Sequence, residues 1–232
     1  MARKWILAAI WLSFVGYTLW LAPLDRSYTW SLARKLLTLQ WNDLNAYIPA
    51  IFSLMGIWPM IYACMMFADG RSQNFRVWPY FIGANFTGVL CLLPYLIVRQ
   101  PNAQFYGSKD KWLAMLDRRS TGIVLLLSTI GIFAYALIAG DWSDYVAQFQ
   151  TRHFVHLISI DFLLMCLTFP ITTLWQNDMA RRGFHHPKLA WEIATIPLFG
   201  PLYYLCIRPP LRENSASQPT QATQRPISSA NR

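Results

Sequence analysis

Three polar residues lie inside one apolar stretch of this chain at a spacing that could do chemistry. Asp161, Thr168 and Thr172 are separated by seven and four positions. At about 100° per residue, both threonines fall within about 20° of the aspartate on a helix. A carboxylate backed by two hydroxyls on one stripe can relay a proton or line a cation path. The same residues can form an interhelical hydrogen-bond seam in which the carboxyl is paired or protonated. With Glu192, at the start of the sixth apolar stretch, as the sole other acid in these runs, the seam is the favoured reading. His156 shares that stretch, but five residues turn it about 140° away from Asp161, so the two form no dyad within a helix. It is a candidate hydrogen-bond residue, or a single axial ligand to a pigment metal. Asn85, in the middle of another apolar stretch, can donate and accept across a helix interface and reads as structural glue.

Asp178, Arg181 and Arg182 place one acid three and four residues before two guanidiniums, a spacing that suits local ion pairing or contact with lipid phosphate. His185 and His186 follow without a carboxylate or cysteine at ligand spacing, so no metal site is expected there. A bis-histidine haem is disfavoured because, of the remaining histidines, His153 falls on the same span as His156, at its start, and His185 and His186 lie in a loop. The four cysteines, Cys64, Cys91, Cys166 and Cys206, lie in apolar runs with no C-x-x-C pair and read as small buried residues. No phosphate loop, nucleophile elbow or H-E-x-x-H motif occurs. No catalytic residue, metal or cofactor is assigned, the pigment reading of His156 being the minor alternative.

The elements that must position these residues are apolar helices. Hydrophobic residues make up 55% of the 232 and charged residues only 13%, about half the charged share of a soluble domain. So little charge can cover two short polar faces of a bilayer protein but not a whole globule. Six stretches approach the roughly 20 apolar residues that a spanning helix needs: Trp5 to Ala22, Ala46 to Ala68, Trp78 to Val98, Thr121 to Gly140, Phe154 to Trp175 and Leu189 to Ile207. None contains Lys or Arg. The expected fold is therefore all-α, a polytopic transmembrane bundle of about six spans. It divides into an N-terminal span (1–22), a surface loop or interfacial helix (23–45), a five-span core (46–211) and a disordered polar tail (212–232).

Detail supports these boundaries. The first stretch lacks a small-x-small cleavage site before Pro23 and reads as a retained helix rather than a signal peptide. Trp5, Trp20, Trp78, Trp142, Trp175 and Trp191 lie at or near stretch ends, as an interfacial belt requires. Leu32, Leu36, Leu39 and Leu44 give a partial helical stripe opposed by Arg34 and Lys35. Pro49, Pro59, Pro94, Pro170, Pro197 and Pro201 predict kinked, packed helices, and no internal repeat is visible.

The net charge of +9 sits in short loops, where it faces lipid and sets orientation; nucleic acid is not an expected partner. Six spans would put nine Lys and Arg on one side and eleven on the other. Leaving out the remote Arg225 and Arg232 leans toward both termini outside, whereas Arg3 and Lys4 argue the reverse.

Taken in order, LMGIWPMIYA, FADGR, LLPYL, GDWSDYVAQFQTRHFVHLISIDF, NDMARR and PLFGPLYYLCIRPPL resemble a family of uncharacterised integral membrane proteins of cyanobacteria with relatives in chloroplasts. The resemblance runs from about Asn45 to Leu211. It implies a photosynthetic membrane, thylakoid or plasma membrane of a cyanobacterium-like cell, with photosynthetic complexes as partners. It assigns no functional residue. The function expected is a non-catalytic assembly, scaffold or accessory role, with a small transporter through Asp161 and a pigment- or cofactor-binding protein through His156 as alternatives.

Overall fold

A computed structural model describes residues 2–21, 26–105, 107–184 and 187–213. The expected tail, apart from Arg212 and Glu213, and the pair His185–His186 lie outside these residues. Among the described residues every regular element is helical: α1 (Ala2–Gly16, continued by a π-helical turn over Tyr17–Leu21), α2 (Arg26–Leu37), α3 (Tyr47–Asp69), α4 (Trp78–Thr87), α5 (Val89–Val98), α6 (Lys111–Leu116), α7 (Arg119–Ala139), α8 (Trp142–Thr151), α9 (His153–Ile171), α10 (Leu174–Arg181), α11 (Pro187–Thr195) and α12 (Phe199–Ile207).

Three of these, the α3 segment, α7 and α9, are long and apolar enough to cross a membrane. The expectation of about six spans is not confirmed, and two of the six stretches are not single straight helices. The third apolar stretch breaks at Gly88 into α4 and α5, which fold back on each other. Tyr80 and Tyr95 stack with ring centroids 5.7 Å apart, although 15 residues of straight helix would separate them by about 22 Å. A Cβ on Gly83 would lie 2.6 Å from the Cys91 sulfur. At the open end, Gln100 N–H donates to the Gln73 side chain at 2.8 Å. The sixth stretch does the same, turning at Leu198 between α11 and α12 and bringing Phe184 within 6.0 Å of Tyr204. Each arm of about ten residues reaches only about 15 Å, half a hydrocarbon core. A stretch with the composition of a span thus becomes a helical hairpin.

The turns have local causes. Gly88 has φ +57°, a region open to glycine and costly for other residues. Leu198 takes φ +64° directly after Pro197, whose ring cannot continue α11.

The hairpins also expose a duplication that the sequence hides. The order of α1, α2, α3 and the α4–α5 hairpin recurs as α7, α8, α9 with α10, and the α11–α12 hairpin. In both copies a long helix is followed by a short amphipathic one, a second long helix and a hairpin. α1 packs on α5 as α7 packs on α12. The spacing is kept residue for residue: Asp69 bonds Tyr95 and Arg99, 26 and 30 positions on, and Asp178 bonds Tyr204 and Arg208, 26 and 30 positions on.

The two ends of the bundle differ in charge. One end gathers the start of α1, the end of α3, both hairpin bases, α6, the start of α7 and α10, tied by Arg3 to Thr173, Asp69 to Arg99 and Asp117 to Arg182. The far end is marked by Tyr17 on His156, Asn45 on Asp141, and Arg152 over Tyr28. Of the Lys and Arg residues whose side chains are described, thirteen lie at the first end (3, 4, 71, 76, 99, 109, 111, 118, 119, 181, 182, 208 and 212) and three at the far end (34, 35 and 152). Folding the third and sixth stretches back is what removes the near-even split that six spans imply.

α2 turns Leu32 and Leu36 into a small core with Ile48, Tyr145, Val155 and Ile158, while Leu39 lies beyond its end, exposed at φ +58°. Five of the expected belt tryptophans are exposed, but Trp175 is buried in the core, because α10 continues α9 along α3 and packs against it.

Candidate functional site

Polar chemistry concentrates at two places, the tip of the first hairpin and the charged end of the bundle. At the tip, Asp161 of α9 reaches across to α5, where its carboxylate accepts the Val89 N–H at 2.8 Å. The first N–H groups of a helix have no intrahelical partner, and in hydrocarbon no water satisfies them. Asp161 therefore caps α5 in trans. A Cβ on Gly88 would overlap that carboxylate, so glycine is needed there for contact as well as for φ.

The stripe mates of Asp161 do not join it. Thr168 donates to the Leu164 carbonyl at 2.7 Å with the Tyr62 hydroxyl 3.5 Å away, and Thr172 donates to the Phe169 carbonyl at 3.0 Å. All three residues are buried. Asn85 donates to the Phe81 carbonyl, one turn back on its own helix, at 2.8 Å. Both ring nitrogens of His156 are engaged: Nδ1 faces the Phe149 carbonyl at 3.1 Å, and Nε2 the Tyr17 hydroxyl at 2.5 Å. With Nδ1 donating to the carbonyl, Nε2 accepts from Tyr17, and no lone pair is left for a metal.

At the charged end, Asp178 and Arg182 form the ion pair that their spacing suggests, at 2.8 Å. Arg181 turns the other way and pairs with Asp69. Asp69 is also held by Arg99 through Nε at 2.8 Å and Nη2 at 2.6 Å, and by the Tyr95 hydroxyl at 2.8 Å. Asp178 accepts from Arg208 at 3.2 Å and from the Tyr204 hydroxyl at 2.8 Å. Asp117 receives Arg182 at 2.6 Å, Lys109 at 3.0 Å and the Leu211 N–H at 3.1 Å. The side chains of Arg181 and Arg182 are wholly buried, so neither guanidinium lies on a lipid-facing surface. Burial pushes the Asp178 carboxyl up, but the Arg182 and Arg208 guanidiniums overcome this and hold it at about 2.

Asp69, Arg99 and Arg208 escape a reading of the sequence because each lies at the edge of an apolar stretch, where charges normally face water, and Asp117 because it sits in the charged segment from Lys109 to Arg119. A signal was present in the repeated phrase Tyr-Leu-x-x-Arg at residues 95–99 and 204–208, each lying 26 residues beyond an aspartate.

A third feature is an apolar cavity of about 560 Å³ between α3, α7, α8 and α9, walled by Tyr47, Phe133, Trp142, Tyr145, Phe149 and Phe162. Phe149 also holds His156 through its carbonyl.

Fold and site together define an all-helical protein with three helices long and apolar enough to cross a membrane, built of two similar halves, each with a helical hairpin locked by a buried Asp–Tyr–Arg cluster. Compared with protein-family models, curated protein sequences and solved structures, the chain matches none of them.

Proposed function

We propose that this protein is a non-catalytic assembly, scaffold or accessory protein of a photosynthetic membrane. The supporting observation is that its intramembrane polar groups are consumed internally. Asp161 caps a helix, Thr168 and Thr172 bond their own helix, and His156 is held at both nitrogens. Such a bundle offers a rigid surface rather than a path or a reactive group. The photosynthetic setting rests on the ordered motifs alone. Tagged protein solubilised from native membranes should co-migrate with a photosystem or electron-transport complex, and its deletion should lower the level of that complex. Solitary migration together with unchanged complex levels would overturn the reading.

The proposal includes a topology. α1 with its π turn, α3, α7 and α9 cross the bilayer, both hairpins enter from the charged end, and that end faces the cytoplasm with both termini, following the positive-inside bias. Cysteines introduced at Ser72 and Ser108, both exposed, should react with a membrane-impermeant maleimide only from the cytoplasmic side. One at Ala147 should react only from the opposite side. Six spans would separate Ser72 from Ser108, so labelling from opposite sides would sink this topology.

Transport is the second reading, favoured by the duplicated half-helices that end at mid-depth, a feature of transporter folds. If Asp161 lies on the path, Asp161→Asn abolishes flux in vesicles while the protein still folds. If it is only a cap, the amide oxygen of the asparagine accepts the Val89 N–H and any flux survives.

A further inference from the structure

The buried charge network carries more positive than negative charge. Four buried guanidiniums, Arg99, Arg181, Arg182 and Arg208, and the ammonium of Lys109 face three buried carboxylates, Asp69, Asp117 and Asp178. Each half supplies one matched pair, Asp69 with Arg99 and Asp178 with Arg208. The excess comes from Arg181, Arg182 and Lys109, for which Asp117 is the one additional carboxylate. Guanidiniums do not deprotonate, and uncompensated charge in a low-dielectric interior is costly. Arg181 shows the deficit directly, since its Nε and Nη1 are buried without a hydrogen-bond partner, and the same holds for Arg208 Nε.

A cavity of about 490 Å³ opens beside this excess, where the connector after the first hairpin meets the start and end of the second. Its wall includes Arg181, Arg182, the exposed Arg212, Gln104 and Gly183, and no acid among the described residues. Gly183 has φ +64° and open space where a Cβ would stand, so a ligand can approach the main chain there. A concave site with low-dielectric walls focuses the field of the charges behind it.

We propose that this cavity, at the junction of the two halves, binds a phosphate-type oxyanion, held by Arg212 from the rim and by the excess positive charge beneath. At the charged end of a membrane bundle, such a group comes either from an anionic lipid headgroup or from a free phosphate. The inference does not depend on the accessory role proposed above.

The test uses full-length protein in nanodiscs, with the thermal midpoint followed by tryptophan fluorescence. In one arm, inorganic phosphate is titrated into phosphatidylcholine discs against chloride of equal ionic strength. In the other, a fifth of the lipid is phosphatidylglycerol and phosphate is absent. Saturation of the site should raise the midpoint by about 3 °C or more in at least one arm. Response to phosphate identifies a free oxyanion, and response to phosphatidylglycerol alone identifies a lipid headgroup. Arg212→Gln, outside the buried network, should weaken the apparent affinity about tenfold by removing a charge-assisted contact, and Arg212→Lys should restore part of it. No rise in either arm, or a rise that Arg212→Gln leaves intact, overturns the proposal.

Discussion

Asp178→Ala unfolds the charged end of the bundle and costs about 3–5 kcal/mol, because it strands Arg182 and Arg208 in an interior that no longer holds their counter-charge. The measurement is equilibrium unfolding in mild detergent, with accumulation in the membrane as a second readout. Since Asp69 occupies the same place in the other half, Asp69→Ala should cost a similar amount. The double variant Asp178→Ala with Arg208→Met should recover part of the loss by removing one of the stranded charges. A cost below about 1 kcal/mol for either single variant would mean that the cluster is held together by packing rather than by charge. The same cluster sets an acid limit. The folded-state pKa of Asp178 is depressed to about 2, below the usual value of about 3.9 for an unfolded chain. Its contribution is therefore fully present above pH 4 and is lost as pH falls from about 4 toward 2. Stability that rose over that interval on acidification would contradict the assignment.

Gly88→Ala should be as damaging, on the order of 3–5 kcal/mol, for two separate reasons. The new methyl would occupy the position of the Asp161 carboxylate, and alanine would have to adopt φ +57°. The reasons can be separated. Pairing Gly88→Ala with Asp161→Ala removes the overlap but not the backbone penalty, and it also leaves the Val89 N–H without its acceptor. Asp161→Ala alone should cost about 1–3 kcal/mol, the penalty of a buried unsatisfied donor. Protease protection of the first hairpin is the local readout. If Gly88→Ala left both that protection and the unfolding midpoint unchanged, the sharp turn at the tip would be wrong.

The helical class, the apolar character of six stretches and the polarity of Asp161, Asn85 and His156 were legible in the sequence, because composition and hydrophobicity act residue by residue. The Asp178–Arg182 pair was legible for the same reason, being a contact within one helical turn. The opposite directions taken by Arg181 and Arg182 were not, since their partners Asp69 and Asp117 lie 112 and 65 positions away. The duplication was hidden because lipid-facing apolar residues exchange freely between the halves. Only the turn and the Asp–Tyr–Arg spacing had to persist.

Asp161 shows the division most clearly. Its burial in an apolar helix follows from the sequence, whereas its role follows from Gly88, 73 positions earlier, arriving beside it. The sequence by itself determined that this chain is a set of apolar helices with basic connections. Which stretches run straight and which fold back was decided by tertiary structure alone. Hydropathy measures how apolar a segment is and is blind to its direction, while the direction of these two was set by one glycine, one proline and, in the first, the distant Asp161 carboxylate that satisfies the broken helix end.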